Sequence, residues 1–204
     1  MDHYGDEGFI RLWRIRQEEV RNQDILKGSV RVNGDEFVFA EREIVRKRLW
    51  MWMPDCFKKM PQELAQWKYP DENRPAVIYT NTETTVNISF THHQEEKLEA
   101  GEEEAYRDRM EQSMLQSFPA SGTIEKDTVM AKTMPLAWFD FLTPAMDGEI
   151  YNLMFYASLD GRLLAGAFNC LSGDREDWKD CFMQMLATVR SNADGKEKIL
   201  KKEC

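Results

Sequence analysis

Between Asp174 and Ser191 the apolar positions fall at Trp178, Cys181, Phe182, Met185, Leu186 and Val189. Intervals of three and four match the turn of an α-helix, so the pattern predicts a helix with one apolar stripe. Asp174, Glu176 and Asp177 stand at its start, where the positive end of the helix dipole favours acids, and Ser172 or Asp174 can cap it. A second helix is predicted within "QEEKLEAGEEEAYRDRMEQSMLQSF". There Tyr106, Met110, Met114 and Phe118 recur at spacings of four, with Leu115 beside them. Glu102 to Glu104 sit in its first turn, and Pro119 ends it.

Elsewhere the period is two. "AVIYTNTETTVNISFTHH" reads as two strands around a polar turn. Val86, Ile88 and Phe90 form the apolar side of the second, and Asn87, Ser89 and Thr91 are expected to face water or an edge. Four more strands are predicted in "GTIEKDTVMAKT", "LAWFDFLTP", "EIYNLMFYASL" and "RLLAGAFNC". Asp147-Gly148 and Asp160-Gly161 mark hairpin turns between the last three. Asn33-Gly34 predicts an earlier hairpin. Gly161 suits a turn, and Gly166 a close-packed strand.

"RLWMWMP" is apolar on both sides, with Leu49, Met51 and Met53 opposite Trp50 and Trp52, which predicts a central strand covered on both faces. "MPQELAQWKYPDENRP" reads as a short helix followed by a loop held by Pro70 and Pro75. In residues 1–27, Phe9, Leu12, Trp13, Arg16 and Val20 share a helical face, although Phe9, Arg11, Trp13 and Ile15 also alternate as in a strand. The good helix formers of "QEEVRNQ" favour helix. The chain thus divides into an N-terminal extension at 1–27, one domain at 28–192 and a charged tail at 193–204.

Composition narrows the classes of function. The 204 residues suit one domain able to bury its own core, with 42% hydrophobic, 11% aromatic and 31% charged residues. The net charge of −9 opposes binding to a phosphate backbone. The densest basic run, Arg42 to Arg48, is interrupted by Glu43, so no nucleic-acid partner is expected. No signal-like or membrane-length apolar run is present, so a cytoplasmic location without membrane contact is expected. Cys56, Cys170, Cys181 and Cys204 lack C-x-x-C spacing and are expected to stay reduced.

Few residues invite chemistry. His92 and His93 are adjacent on extended chain and so diverge. Their expected setting is a solvated loop before an acidic helix, with Glu95, Glu96 and Glu99 the only nearby help for a metal. Cys170 ends a strand and Cys181 lies on the apolar helix stripe, so both read as packed thiols with raised pKa. No nucleophile elbow, zinc motif, calcium loop or phosphate cradle occurs, and no catalytic residue, metal or cofactor is assigned. Trp50, Trp52, Trp138 and Trp178 read as core. Trp67 and Tyr69 lie in a proline-bounded stretch and are the candidates for a partner surface.

The order of elements resembles the PsbP-like superfamily. That α/β/α sandwich is shared by a photosystem accessory protein, a Ran-binding nuclear import factor and small bacterial proteins related to DcrB. The likeness is carried by "RPAVIYTNTETTVNISF", "EIYNLMFYASLDGRLLAGAFNC" and "DREDWKDCFMQMLATVRS", and covers roughly residues 30–191. It implies an α+β fold: a mostly antiparallel sheet of six to seven strands with helices on both faces. It also implies a non-enzymatic protein that works through an unidentified protein partner as an accessory, adaptor or immunity-type protein. Two other readings stand beside it. One is a small-molecule carrier with an apolar cavity in a helix-grip fold. The other is a hydrolase or metal-dependent enzyme using His92, His93 and Cys170.

Overall fold

Two dipeptides shape tight hairpins. Asn33 and Gly34 take φ of 53° and 89° between Val32 and its partner Asp35, and Asp160 and Gly161 take 56° and 74° between Leu159 and Arg162. Positive φ at both central residues gives the turn the twist of its flanking strands, which is why Asn-Gly and Asp-Gly occupy it. The computed structural model describes residues 23–119, 121–145 and 148–192. The helix expected before residue 23, the tail after 192 and Asp147 lie outside the described residues.

Two antiparallel sheets result. The smaller holds β1 (Ser29–Val32), β2 (Asp35–Val45), β3 (Leu49–Pro54) and β11 (Arg190–Ser191), in the order β1-β2-β3-β11. The larger has seven strands in the order β4-β5-β6-β10-β9-β8-β7. Its members are β4 (Lys58–Lys59), β5 (Val77–Thr80), β6 (Asn87–Lys97), β7 (Thr123–Met130), β8 (Pro135–Ala145), β9 (Gly148–Leu159) and β10 (Arg162–Leu171). Three α-helices complete the described fold: α1 (Gln62–Lys68), α2 (Glu103–Ser117) and α3 (Arg175–Ala187).

Alternation along β9 shows how the large sheet is covered. Tyr151, Leu153, Phe155 and Ala157 face a main core shared with α3 and the small sheet, whereas Tyr156 faces a second, smaller core beneath α2. The chain is therefore an α+β sandwich of three layers. Aromatic rings tie the main core together. Phe182 stacks on Phe168 of β10 at 4.6 Å, and Trp178 meets Phe37 of β2 at 5.2 Å, so α3 contacts both sheets. Such pairs add about 0.5–1.5 kcal/mol each beyond their area. Every residue of the predicted stripe from Trp178 to Val189 is buried. Ile25 is also buried, and its N–H donates to Gln184 of α3.

Several expectations need correction. The doubly apolar strand β3 does not run through the large sheet but forms a sheet with β2 and β11. Leu49, Met51 and Met53 are fully buried there, whereas Trp50 and Trp52 are half-buried, Trp50 beneath the Arg190 guanidinium at 4.4 Å. Asn87 and Ser89 do not face water. Strand β6 lies inside the sheet between β5 and β10, and Asn87 donates to Asn169 across the ladder at 2.8 Å. Residues 94–97, placed in the helical segment, extend β6 instead.

Helix α2 keeps its predicted stripe in part, with Tyr106 buried and Met110 and Met114 packed on the second core. Phe118 and Leu115 are exposed, while Glu103, Arg107 and Glu111 are buried. Arg107 donates to the Asp127 carbonyl at 3.0 Å, and Lys126 pairs with Glu111, so polar contacts with the edge strand β7 account for the burial of both. Neither Ser172 nor Asp174 caps α3 through its side chain; Ser172–Asp174 forms a single 3₁₀ turn leading into it.

Candidate binding groove

Among the described residues, helix covers only part of one face of the large sheet. From β6, an inner strand, the chain must reach β7 at the far edge, and it crosses through α2, which packs on β8 and β9. The face over β6 and β10 is left to the segment around residues 73–75. Between that segment and α2 lies an open groove of about 370 Å³.

Small side chains keep its floor low. On β10, Ala165 and Ala167 point into the groove, with Ser89 beside them on β6. On the opposite side of β10, Gly166 receives the Phe155 ring so closely that a Cβ would lie 2.1 Å from it. One wall is apolar and adaptable: Met110 from α2 together with Met154, Tyr156 and Leu163 from the sheet. Asn73 and Pro75 form the other.

The polar groups gather near α2. His93, Glu96 and Tyr106 line the groove, and the Tyr106 hydroxyl donates to Glu96 Oε1 at 2.8 Å. Burial, then the bond to Glu96 and its charge, push the Tyr106 phenol well above its ordinary pKa, so it stays a donor. Burial also raises that of Tyr156, whose hydroxyl lies 3.7 Å from the Met154 sulfur.

The residues singled out from the sequence are dispersed. His92 and His93 lie within β6 rather than in a loop, because the strand runs on to Lys97. His92 Nε2 is 3.2 Å from the Leu159 carbonyl, and His93 points into the groove. Cys170 is fully buried in the main core. Pairing of Leu164 with His92 puts it six strand positions away, roughly 20 Å at about 3.3 Å per residue. Burial, with the Asp174 charge adding to it, pushes the Cys170 thiol up to about 12, and burial pushes Cys181 up to about 12 as well. The triad of the enzyme reading is not assembled.

Trp67 stands 80% exposed on α1, a helix with no buried residue. Tyr69 is half-buried within reach of Asn169, and burial raises its pKa. Among the described residues no cluster of three His, Cys, Asp or Glu could hold a metal ion, and no helix is long and apolar enough to cross a membrane. Sequence reasoning missed the groove. Its signal was the alternation of Leu163, Ala165 and Ala167 on one side of β10, opposite Leu164, Gly166 and Phe168.

No protein-family model and no curated protein matches the chain. In three dimensions it is similar to cyanobacterial PsbP (CyanoP) from Synechocystis sp. PCC 6803, at 9% identity and a TM-score of 0.54, over 81% of this chain and 99% of that one. The Ran-binding protein Mog1p of Saccharomyces cerevisiae aligns at 10% identity and a TM-score of 0.47, over 76% and 95% of the two chains. The immunity protein TplEi of the T6SS of Pseudomonas aeruginosa aligns at 12% identity and 0.43, over 94% and 86%. The match to CyanoP shows the fold to be PsbP-like.

Proposed function

We propose that the chain is a non-enzymatic binding protein that holds an extended segment of a partner protein in the groove over β6 and β10. The observation that carries this reading is the 370 Å³ apolar groove left where α2 covers only part of the sheet face. Methionines and aromatic rings on one wall can re-pack around side chains of different shape. Tyr69, whose carbonyl accepts from Arg74 of the segment that forms the other wall, extends the contact surface on that side, and Trp67 on α1 adds an exposed aromatic two residues before it.

A carrier of small apolar molecules is the second reading, favoured by a volume above the roughly 300 Å³ at which ligand sites begin. Such sites bury most of their ligand, about 70–90% of its surface. Among the described residues this groove is open to solvent, which suits a segment attached to a larger partner.

Affinity capture from native lysate tests the proposal. The intact chain should recover a stoichiometric protein that Ala167→Trp, which fills the floor, no longer recovers. Val38→Ser, on the small sheet, should recover it undiminished, and circular dichroism reports whether each variant is folded. Recovery indifferent to a folded Ala167→Trp, or a lipophilic small molecule in place of a protein, would overturn it.

A further inference from the structure

An irregularity in β6 builds the polar end of the groove. From His92 to Lys97 the strand takes five steps, while β10 takes two from Leu164 to Arg162. His93 to Glu96 consequently have no partner on β10, and a bulge of this kind re-aims side chains. His93 and Glu96, three positions apart, would face opposite ways on a regular strand; here both line the groove.

Glu96 accepts from Tyr106 through Oε1, and among the described residues no lysine or arginine forms an ion pair with it. Arg109 is engaged on the Tyr106 ring, 5.2 Å from its centroid. Glu95 precedes Glu96, and Glu99 and Glu102 follow, with Lys97 as the one cation between, in a chain of net charge −9. The groove therefore offers an apolar bed that ends at a carboxylate without a cation.

From this we infer the chemistry of the occupant: a protein segment with a large apolar side chain next to a lysine or arginine. The apolar side chain lies on Ala165 and Ala167 against Met110 and Met154. The cation meets Glu96 beside the Tyr106 hydroxyl, its methylene stem covering the apolar floor. Opposite charge at the mouth also hastens encounter with such a segment and disfavours acidic ones. The inference rests on the reading of the groove as a site for a protein segment.

A phage-displayed library of random dodecamers, selected on the full chain at low ionic strength, tests both levels. Peptides enriched on the native chain and lost on a folded Ala167→Trp should carry Lys or Arg within two positions of Leu, Met, Phe, Tyr or Trp. A synthetic peptide of the selected sequence should lose about two- to five-fold in affinity on Glu96→Gln, as befits an ion pair at the exposed mouth. Selection on Glu96→Lys should enrich acidic peptides instead. Groove-dependent peptides that lack a cation, or that bind Glu96→Gln undiminished, would overturn the basic preference and leave the groove reading standing. A selection with no groove-dependent peptide at all would overturn both.

Discussion

Lys179 Nζ stands 2.8 Å from Oδ2 of Asp140, a carboxylate with no solvent exposure. The same carboxylate accepts the Tyr151 hydroxyl and the Glu125 N–H, each at 2.7 Å, and Arg175 Nη2 is 4.0 Å away. Three strands and α3 thus converge on one buried charge. Removing a single member of a buried pair strands the other, at a cost of about 3–5 kcal/mol. Asp140→Ala should lower stability in urea by about that amount. Lys179→Met should cost about 1–3 kcal/mol, since Tyr151 and Glu125 still satisfy the carboxylate. The double variant should lose less than the two singles together. Strict additivity would show the groups to be uncoupled.

Gly166 and Phe155 pair across β10 and β9, and a Cβ at 166 would meet the ring at 2.1 Å. Gly166→Ala is expected to cost about 1–3 kcal/mol through overpacking. Thermal melts of Gly166→Ala in a Phe155→Leu background should show a smaller loss than in the native background. Equal losses would place the strain elsewhere.

Cys170 and Cys181 are buried thiols whose pKa values burial pushes up to about 12, whereas Cys56 is exposed. At pH 8 the buried pair carries almost no thiolate. Alkylation with iodoacetamide, read by peptide mass spectrometry, should label Cys56 in the native protein and reach Cys170 and Cys181 only after denaturation. Rapid native labelling of Cys170 would revive a reactive role for it.

Glu41 and Arg190 meet in a two-pronged contact at 2.7 Å, and the guanidinium lowers the Glu41 pKa from its ordinary value. A carboxyl with a depressed folded pKa contributes stability above its unfolded pKa and loses it as pH falls through the folded one. Both side chains are about one-third exposed, which limits the contribution to about 0.5–1 kcal/mol. Denaturant melts of Glu41→Gln should fall below the native chain by that margin at neutral pH. The gap should close on the acid side of the ordinary carboxylate range. A gap that widens on acidification would contradict the pairing.

The helix α3, the strand order from β8 to β10 and the buried thiols Cys170 and Cys181 were legible in the sequence, because each follows from near neighbours. The stripe from Trp178 to Val189 has one interpretation, and Asp160-Gly161 specifies its own turn. The separate small sheet was not legible. A doubly apolar strand such as Leu49–Met53 says that it is covered, not by which layer. The burial of Arg107 and Glu111 on α2 followed from their partners on β7, and pairings between distant residues leave no periodic trace. The groove escaped notice for a related reason. Alanines at 165 and 167 look the same whether a neighbour packs on them or nothing does.

The bulged stretch of β6 separates what holds the molecule together from what it would recognise. Its four letters, His93 to Glu96, form no rung with β10, so exchanging them leaves the ladder in register on either side. A lineage, or an engineer, could retarget such a surface by rewriting a handful of positions while the scaffold beneath stays unaltered.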